Sequence, residues 1–289
     1  MKQLKSLVGI VLFLAIATFV VFQVLNFFSG NETATQKAVT KITKKVPKKD
    51  ISIVAVGDSL TEGIGDGTAT GGYVSRIADL YAKDKKINDI TTANYGISGN
   101  TSTQILKRIQ TKTDIQDSLK EADVIVLTFG GNDLMKVIKS QLLKVTEDSF
   151  TKPEAEYKER VKTIFSEIRN LNKHAPIYVY GIYNPFYLYF SDVPEMQAVV
   201  DSWNEATTSV VDEQNKAHFI PINDLLSKGN QVETTKKEEK ASKNSDQTPE
   251  IVNDLLFEED SFHPNDEGYD RMAKALYEKM QATKAEWLP

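Results

Sequence analysis

VAVGDSLTEG (Val54–Gly63) leaves an apolar run at Gly-Asp-Ser and continues into the glycine-rich GIGDGTATGG (Gly63–Gly72). An unbroken apolar run bounded by such a turn reads as a buried strand, here Ile51–Val56. The serine after it is either a helix N-cap or a nucleophile at the rim of a sheet. The rest of the chain repeats the pattern. Strands are expected at Ile90–Tyr95, in ADVIVLTFGG (122–131), in APIYVYG (175–181) and in AHFIPI (217–222). Helices are expected at Tyr73–Lys86, at Ser102–Lys120 capped by Ser102 or Thr103, and at Pro153–Asn172, Pro194–Gln214 and Glu267–Ala282. Strands alternating with helices predict an α/β fold with a five-stranded parallel sheet covered on both faces. In such sheets, ligands bind at the carboxyl ends of the strands.

The chain has 289 residues, 40% of them hydrophobic, and no cysteine, so disulfides, thiol nucleophiles and thiolate metal sites are excluded. Its net charge of −5 is unevenly spread. Residues 1–50 carry eight Lys against Glu32 and Asp50, a balance of +6, which leaves −11 for the remainder. An acidic globular part argues against nucleic acid as a partner. Leu7–Phe28 holds no charge over 22 residues. At about 1.5 Å each these span about 33 Å, the thickness of a bilayer's hydrocarbon core. This run is expected to be an uncleaved transmembrane anchor behind a short tail, residues 1–6, with the following domain outside the cell membrane. The alternative is a cleaved signal peptide and a secreted protein, although FFSGNETATQ is a poor cleavage site. Residues 29–50 read as a Lys-rich linker, 51–289 as the folded domain, and 228–250 as a charged, solvent-exposed insertion within it.

A serine nucleophile needs a base, and the base needs a group that orients it. The chain offers three histidines. His174 sits at a helix-to-strand turn and His218 begins a strand, and both read as structural. His263 lies in DSFHPNDEGY (260–269), with Asp260 three residues before it and Asn265 placed to cap the next helix. Ser59, His263 and Asp260 therefore form a nucleophile, base and orienter set. An acyl-transfer site also needs hydrogen-bond donors for an oxyanion. Gly99 in YGISGNTS and Asn132 in TFGGNDL follow the second and third strands, at the same rim as Ser59; as ordinary Gly/Asn turns they would have no such role.

Four blocks in order, GDSL at 57–60, Gly99 in GISGNTS, GGND at 130–133 and DSFHPN at 260–265, resemble those of the SGNH or GDSL hydrolases, and in particular the membrane-anchored or secreted esterases of Gram-positive bacteria. The resemblance spans nearly all of 51–289. It implies a flavodoxin-like three-layer α/β/α sandwich, Ser59 as nucleophile, Gly99 and Asn132 with the Ser59 N–H as oxyanion hole, and His263 with Asp260 completing the triad. The serine turn is not G-x-S-x-G, since Thr61 stands where the second glycine belongs.

No phosphate loop and no H-E-x-x-H occurs, so neither cofactor nor metal is expected. YGIYNPFYLYF (180–190) is crowded with aromatics, and Phe186, Tyr187 and Tyr189 are candidates for a substrate-binding wall. Three functions fit the sequence: a membrane-tethered monomeric serine esterase acting on lipid or small acyl esters, an O-acetyl esterase on cell-wall or exopolysaccharide, and a non-catalytic surface protein that binds glycan or a partner.

Overall fold

The computed structural model describes residues 49–140, 148–188, 194–230 and 253–288. The expected anchor at 7–28, most of the linker and nearly all of the 228–250 insertion lie outside these residues. Five strands form one sheet: β1 (Lys49–Gly57), β2 (Ile87–Gly96), β3 (Val124–Thr128), β4 (Ile177–Tyr180) and β5 (Ala217–Ile220). Their order is β2-β1-β3-β4-β5, with every pair parallel. This is the doubly wound order of flavodoxin-like folds, whose chain reverses direction across the sheet between β1 and β3.

Alternate residues of a strand face opposite sides. In β1, Ile51, Ile53 and Ala55 pack with Tyr73 and Ile77 of α2 (Tyr73–Tyr81) and with Tyr269, Met272 and Leu276 of the C-terminal helix (Asp266–Ala282). Val54 and Val56 face the other layer, built from four helices: Ser102–Thr111, Thr113–Glu121, Asp148–Leu171 and Pro194–Asp212. Both faces are covered, and for that reason Ile53–Val56 of β1 and Val124–Leu127 of β3 are apolar at every position. Truncating a side chain at the middle of this stack, as in Leu127→Ala, costs about 2–5 kcal/mol.

In chain order the helices are α1 (Ser59–Glu62), α2, α3 (Ser102–Thr111), α4 (Thr113–Glu121), α5 (Gly131–Ser140), α6 (Asp148–Leu171), α7 (Pro194–Asp212), α8 (Asn223–Leu226) and α9 (Asp266–Ala282). Several boundaries differ from expectation for local reasons. β1 begins at Lys49, inside the expected linker, because Lys49 N–H bonds to Lys86 O. α2 stops at Tyr81, where the Asp84 carboxylate accepts the Lys86 N–H at 2.9 Å and closes a turn. The expected single helix 102–120 breaks at the extended Lys112, and the Gln116 side chain takes up the freed carbonyls of Ile109 and Gln110 at 3.0 and 2.9 Å. The cap of α3 is Thr101, in a capping box with Gln104, rather than Ser102 or Thr103. α6 begins ahead of Pro153, whose missing N–H falls close to the helix start. Asn265 caps α9 as expected, accepting the Gly268 N–H at 3.0 Å.

Candidate active site

β1 ends at Gly57, where close approach excludes a side chain: a Cβ would lie 2.1 Å from Thr128 Oγ1 at the end of β3. Asp58 follows as N-cap of the one-turn helix α1. Its Oδ1 accepts from Leu60 N–H at 3.1 Å and from Thr128 Oγ1 at 2.7 Å, while its own N–H donates to Thr128 Oγ1 at 3.2 Å. Thr61 Oγ1 contacts Thr128 Oγ1 and the Tyr73 hydroxyl, both at 2.8 Å. This lattice of short bonds fixes the turn that carries Ser59, at the carboxyl end of the sheet and at its switch point. Burial raises the Asp58 carboxyl above its ordinary value, and the Thr128 and Leu60 hydrogen bonds and the His263 charge offset only part of that rise.

His263 comes to the same rim from the loop before α9. Asp260 holds this loop at three points. Its Oδ1 accepts the N–H groups of Phe262 and His263 at 2.8 and 3.0 Å, and its Oδ2 meets His263 Nδ1 at 2.6 Å. With the carboxylate ionised, Nδ1 is the donor, and in the neutral ring Nε2 carries the lone pair. Burial pushes the Asp260 carboxyl up, but the His263 hydrogen bond and charge outweigh it and hold the group below the usual range. The Tyr183 hydroxyl donates to Phe262 O, and the Phe262 ring stands edge-on to His263 with centroids 5.0 Å apart. The Gly63–Gly72 loop flanks the histidine; a Cβ on Gly65 would lie 3.4 Å from His263 Cβ. Among the described residues no hydrogen bond joins Ser59 to His263. Such bonds are often long in unliganded enzymes and tighten with substrate.

Gly99 lies in the loop after β2 with φ +77°, a left-handed conformation that suits glycine. Asn132 is the second residue of α5, a helix the sequence reading missed because GGND resembles a turn. Its Nδ2 donates to Asn100 O at 3.0 Å, which ties the third block to the second, and Asn132 also lines the cavity beside Ser59. Asp133 is buried and accepts from Ser102 N–H at 2.7 Å, Ser102 Oγ at 2.6 Å and Arg160 at 3.3 Å.

Ser59 and Asn132 open on a cavity of about 40 Å³. Its apolar walls include Leu60, Phe129, Ile182, Pro185 and Phe262, none of them among the expected wall residues. Phe186 meets Phe262 ring to ring at 6.3 Å, the Tyr187 ring lies 5.7 Å from Lys228 Nζ, and Tyr189 falls outside the described residues. His218 Nε2 pairs with Glu286 at 2.9 Å on the outer strand, and the His174 backbone is held by Asn172, so neither joins this site. Among the described residues no cluster of three or more His, Asp or Glu is placed to hold a metal ion.

Residues 55–271 match the GDSL-like Lipase/Acylhydrolase family. The chain belongs to that family. It is a carboxylic ester hydrolase. The uncharacterized protein YpmR of Bacillus subtilis (strain 168) is 37% identical over 242 residues, covering 84% of this chain and 85% of YpmR. The spore germination lipase LipC of Bacillus licheniformis is 26% identical over 140 residues, 47% of this chain and 65% of LipC. In fold, the chain is similar to the lipase Lip_vut3 from a goat rumen metagenome, with TM-score 0.60 and 21% identity over 78% of this chain and 95% of that one. It is also similar to the acetylxylan esterase Axe2 of Geobacillus stearothermophilus, with TM-score 0.56 and 19% identity over 83% and 96%.

Proposed function

We propose that this GDSL hydrolase is a serine esterase acting on short-chain acyl esters through Ser59, His263 and Asp260. The carrying observation is the hold of Asp260 on His263 at both its backbone N–H and its ring, which commits Nδ1 to the carboxylate and leaves Nε2 to act as base. His263 Nε2 takes the Ser59 proton as Oγ attacks the ester carbonyl. The oxyanion that develops is received by the Ser59 and Gly99 N–H groups and the Asn132 amide. His263 then returns the proton to the departing alcohol, and a water activated by the same ring releases the acid. No cofactor enters the sequence of steps.

The size of the cavity supports a short acyl group. A dry cavity of about 150 Å³ takes a benzene ring, whereas the space beside Ser59 is about 40 Å³. That suits an acetyl to butyryl group and favours small esters over long lipid chains. The same observation favours a second reading, removal of O-acetyl groups from a wall or extracellular glycan. The named activities of LipC and Axe2, a lipase and an acetylxylan esterase, lie at the two ends of this range. Leu7–Phe28, by its length and lack of charge, supports attachment of the enzyme to the cell membrane with the domain outside. Fractionation of cells into membrane and medium tests that attachment, and recovery of the protein from the medium alone would count against it.

The test of function uses the full chain with nitrophenyl acetate, butyrate, octanoate and palmitate, beside Ser59→Ala. Turnover is expected to fall by at least about 10³-fold in the variant, with acetate and butyrate the preferred substrates. Equal turnover by Ser59→Ala would remove the serine from the reaction. A preference for palmitate would overturn the short-chain reading.

A further inference from the structure

The glycines at the site fall into two kinds. Gly57, Gly130 and Gly181 are required by the fold: a Cβ would meet Thr128 Oγ1 at 2.1 Å, the Tyr157 hydroxyl at 2.7 Å and the Phe219 ring at 2.6 Å, and Gly130 has φ +106°. Gly131 is different. It is not among the residues with positive φ, and a Cβ there meets only Ile182 Cγ2, at 3.9 Å, an ordinary contact. It is the first residue of α5, where alanine is at least as good a helix former. Nothing in the packing therefore requires glycine at this position. Gly131 and Ile182 both line the cavity beside Ser59, so the space a methyl group would fill lies on the acyl side of the site.

We propose that Gly131 is a specificity-determining residue, whose missing side chain, facing Ile182, sets how long an acyl chain the enzyme accepts. This rests on the reading of the cavity as the acyl site. The opposite wall does not give way easily. Ile182 is pinned through its backbone to Asn204, which accepts its N–H at 2.8 Å and donates to its carbonyl at 2.9 Å. A methyl at 131 thus shortens the cavity rather than displacing its wall. A misfit of one methylene in an apolar pocket is worth about 10–200-fold in discrimination. Neighbouring Asn132 supplies an internal control. Any disturbance of the oxyanion donor slows all esters alike, whereas a shorter cavity slows only the longer ones.

The experiment compares kcat/KM of the full-length wild type and Gly131→Ala on nitrophenyl acetate and butyrate, with fluorophosphonate labelling of Ser59 measured in parallel. Gly131→Ala is expected to keep its melting temperature while its butyrate-to-acetate ratio falls by about 10-fold or more. A parallel fall on both esters would overturn the proposal by assigning the effect to Asn132, and an unchanged ratio would overturn it by placing the chain elsewhere. Wild-type protein that neither labels at Ser59 nor turns over would instead remove the serine-esterase reading beneath it.

Discussion

Ser102 Oγ donates to Asp133 Oδ1 at 2.6 Å in the buried space between the loop that carries Gly99 and the helix that carries Asn132. The same carboxylate takes the Ser102 N–H at 2.7 Å, and Arg160 reaches both partners, with Nε 2.9 Å from Ser102 Oγ and a terminal nitrogen 3.3 Å from Asp133. The starts of two helices that follow different strands are thereby locked into one unit at a buried point. The proposed oxyanion donors inherit their separation from this lock.

Removing the lock should therefore cost both stability and rate. Breaking a buried ion pair from one side costs about 3–5 kcal/mol. Arg160 is 28% exposed and recovers some hydration, so Asp133→Ala is expected near the lower figure. The loss should appear as a lower urea midpoint, together with a kcat that falls by the same factor for acetate and butyrate. A midpoint equal to wild type would show that Ser102 and Arg160 find other partners.

Asp260→Asn separates orientation from folding. The amide retains the volume and a carbonyl for the Phe262 and His263 N–H groups, but it can present an N–H to Nδ1 and so select the wrong tautomer. A fall of about 10⁴-fold in kcat is expected, with the circular dichroism spectrum unchanged. The pH dependence has a definite sign. The folded-state carboxyl is held below its ordinary value of 3.8, so its stabilisation is present above that value and is lost as pH falls through the lower folded value. The stability difference between wild type and Asp260→Asn should thus be constant near neutrality and vanish on strong acidification. A difference that instead disappears between pH 5 and 7 would contradict the pairing.

Asp58 gives the opposite sign. Burial holds its carboxyl above 3.8, so ionisation opposes folding, and the favourable contribution present below 3.8 is lost as pH rises through the folded value. Asparagine is an equally good N-cap and keeps the acceptor for Leu60 and Thr128. Asp58→Asn is expected to melt above the wild type at pH 7, with the gain shrinking toward pH 3. A lower melting temperature at pH 7 would mean that the ionised carboxylate makes a compensating contact the amide cannot.

The sheet was legible because periodicity and burial agree. Val124–Leu127 is apolar at every position, as a strand covered on both faces must be, and each of the five strands overlaps the stretch expected for it. The rim was legible for a different reason: Ser59, Gly99, Asn132 and His263 each follow an apolar run or open a capped helix. What the sequence concealed depends on partners far along the chain. Ser102 read as a cap, yet it turns inward to a carboxylate 31 residues away and leaves the capping to Thr101. The cavity walls, Phe129, Ile182 and Phe262, come from three separate connections, and no spacing rule joins them. In the aromatic stretch, Tyr180 and Tyr183 spend their hydroxyls on Met272 O and Phe262 O, which makes them braces for the C-terminal segment.

Arg108 brings a cation beneath this rim, bonded to main-chain and amide oxygens. Its guanidinium donates to Tyr95 O at 2.7 Å and, more weakly, to Gly57 O and Asn100 Oδ1, both at 3.4 Å. These acceptors end β2, end β1 and occupy the loop that carries Gly99, so one planar group spans the three pieces that must stay in register around Ser59. Burial lowers its pKa from the ordinary value, and the charges of Asp114 and Glu62 offset part of that. Hydrogen bonds from a charged donor are worth about 1.5–3 kcal/mol, and lysine cannot reproduce a fork with three acceptors. Arg108→Ala is therefore expected to lose about 2 kcal/mol of stability, in keeping with one strong and two weak bonds. In Arg108→Lys the bond to Tyr95 O is the one retained. Recovery of stability in the lysine variant without recovery of kcat would assign Arg108 to holding the loop at Asn100, whereas recovery of both would assign it to the strand end alone.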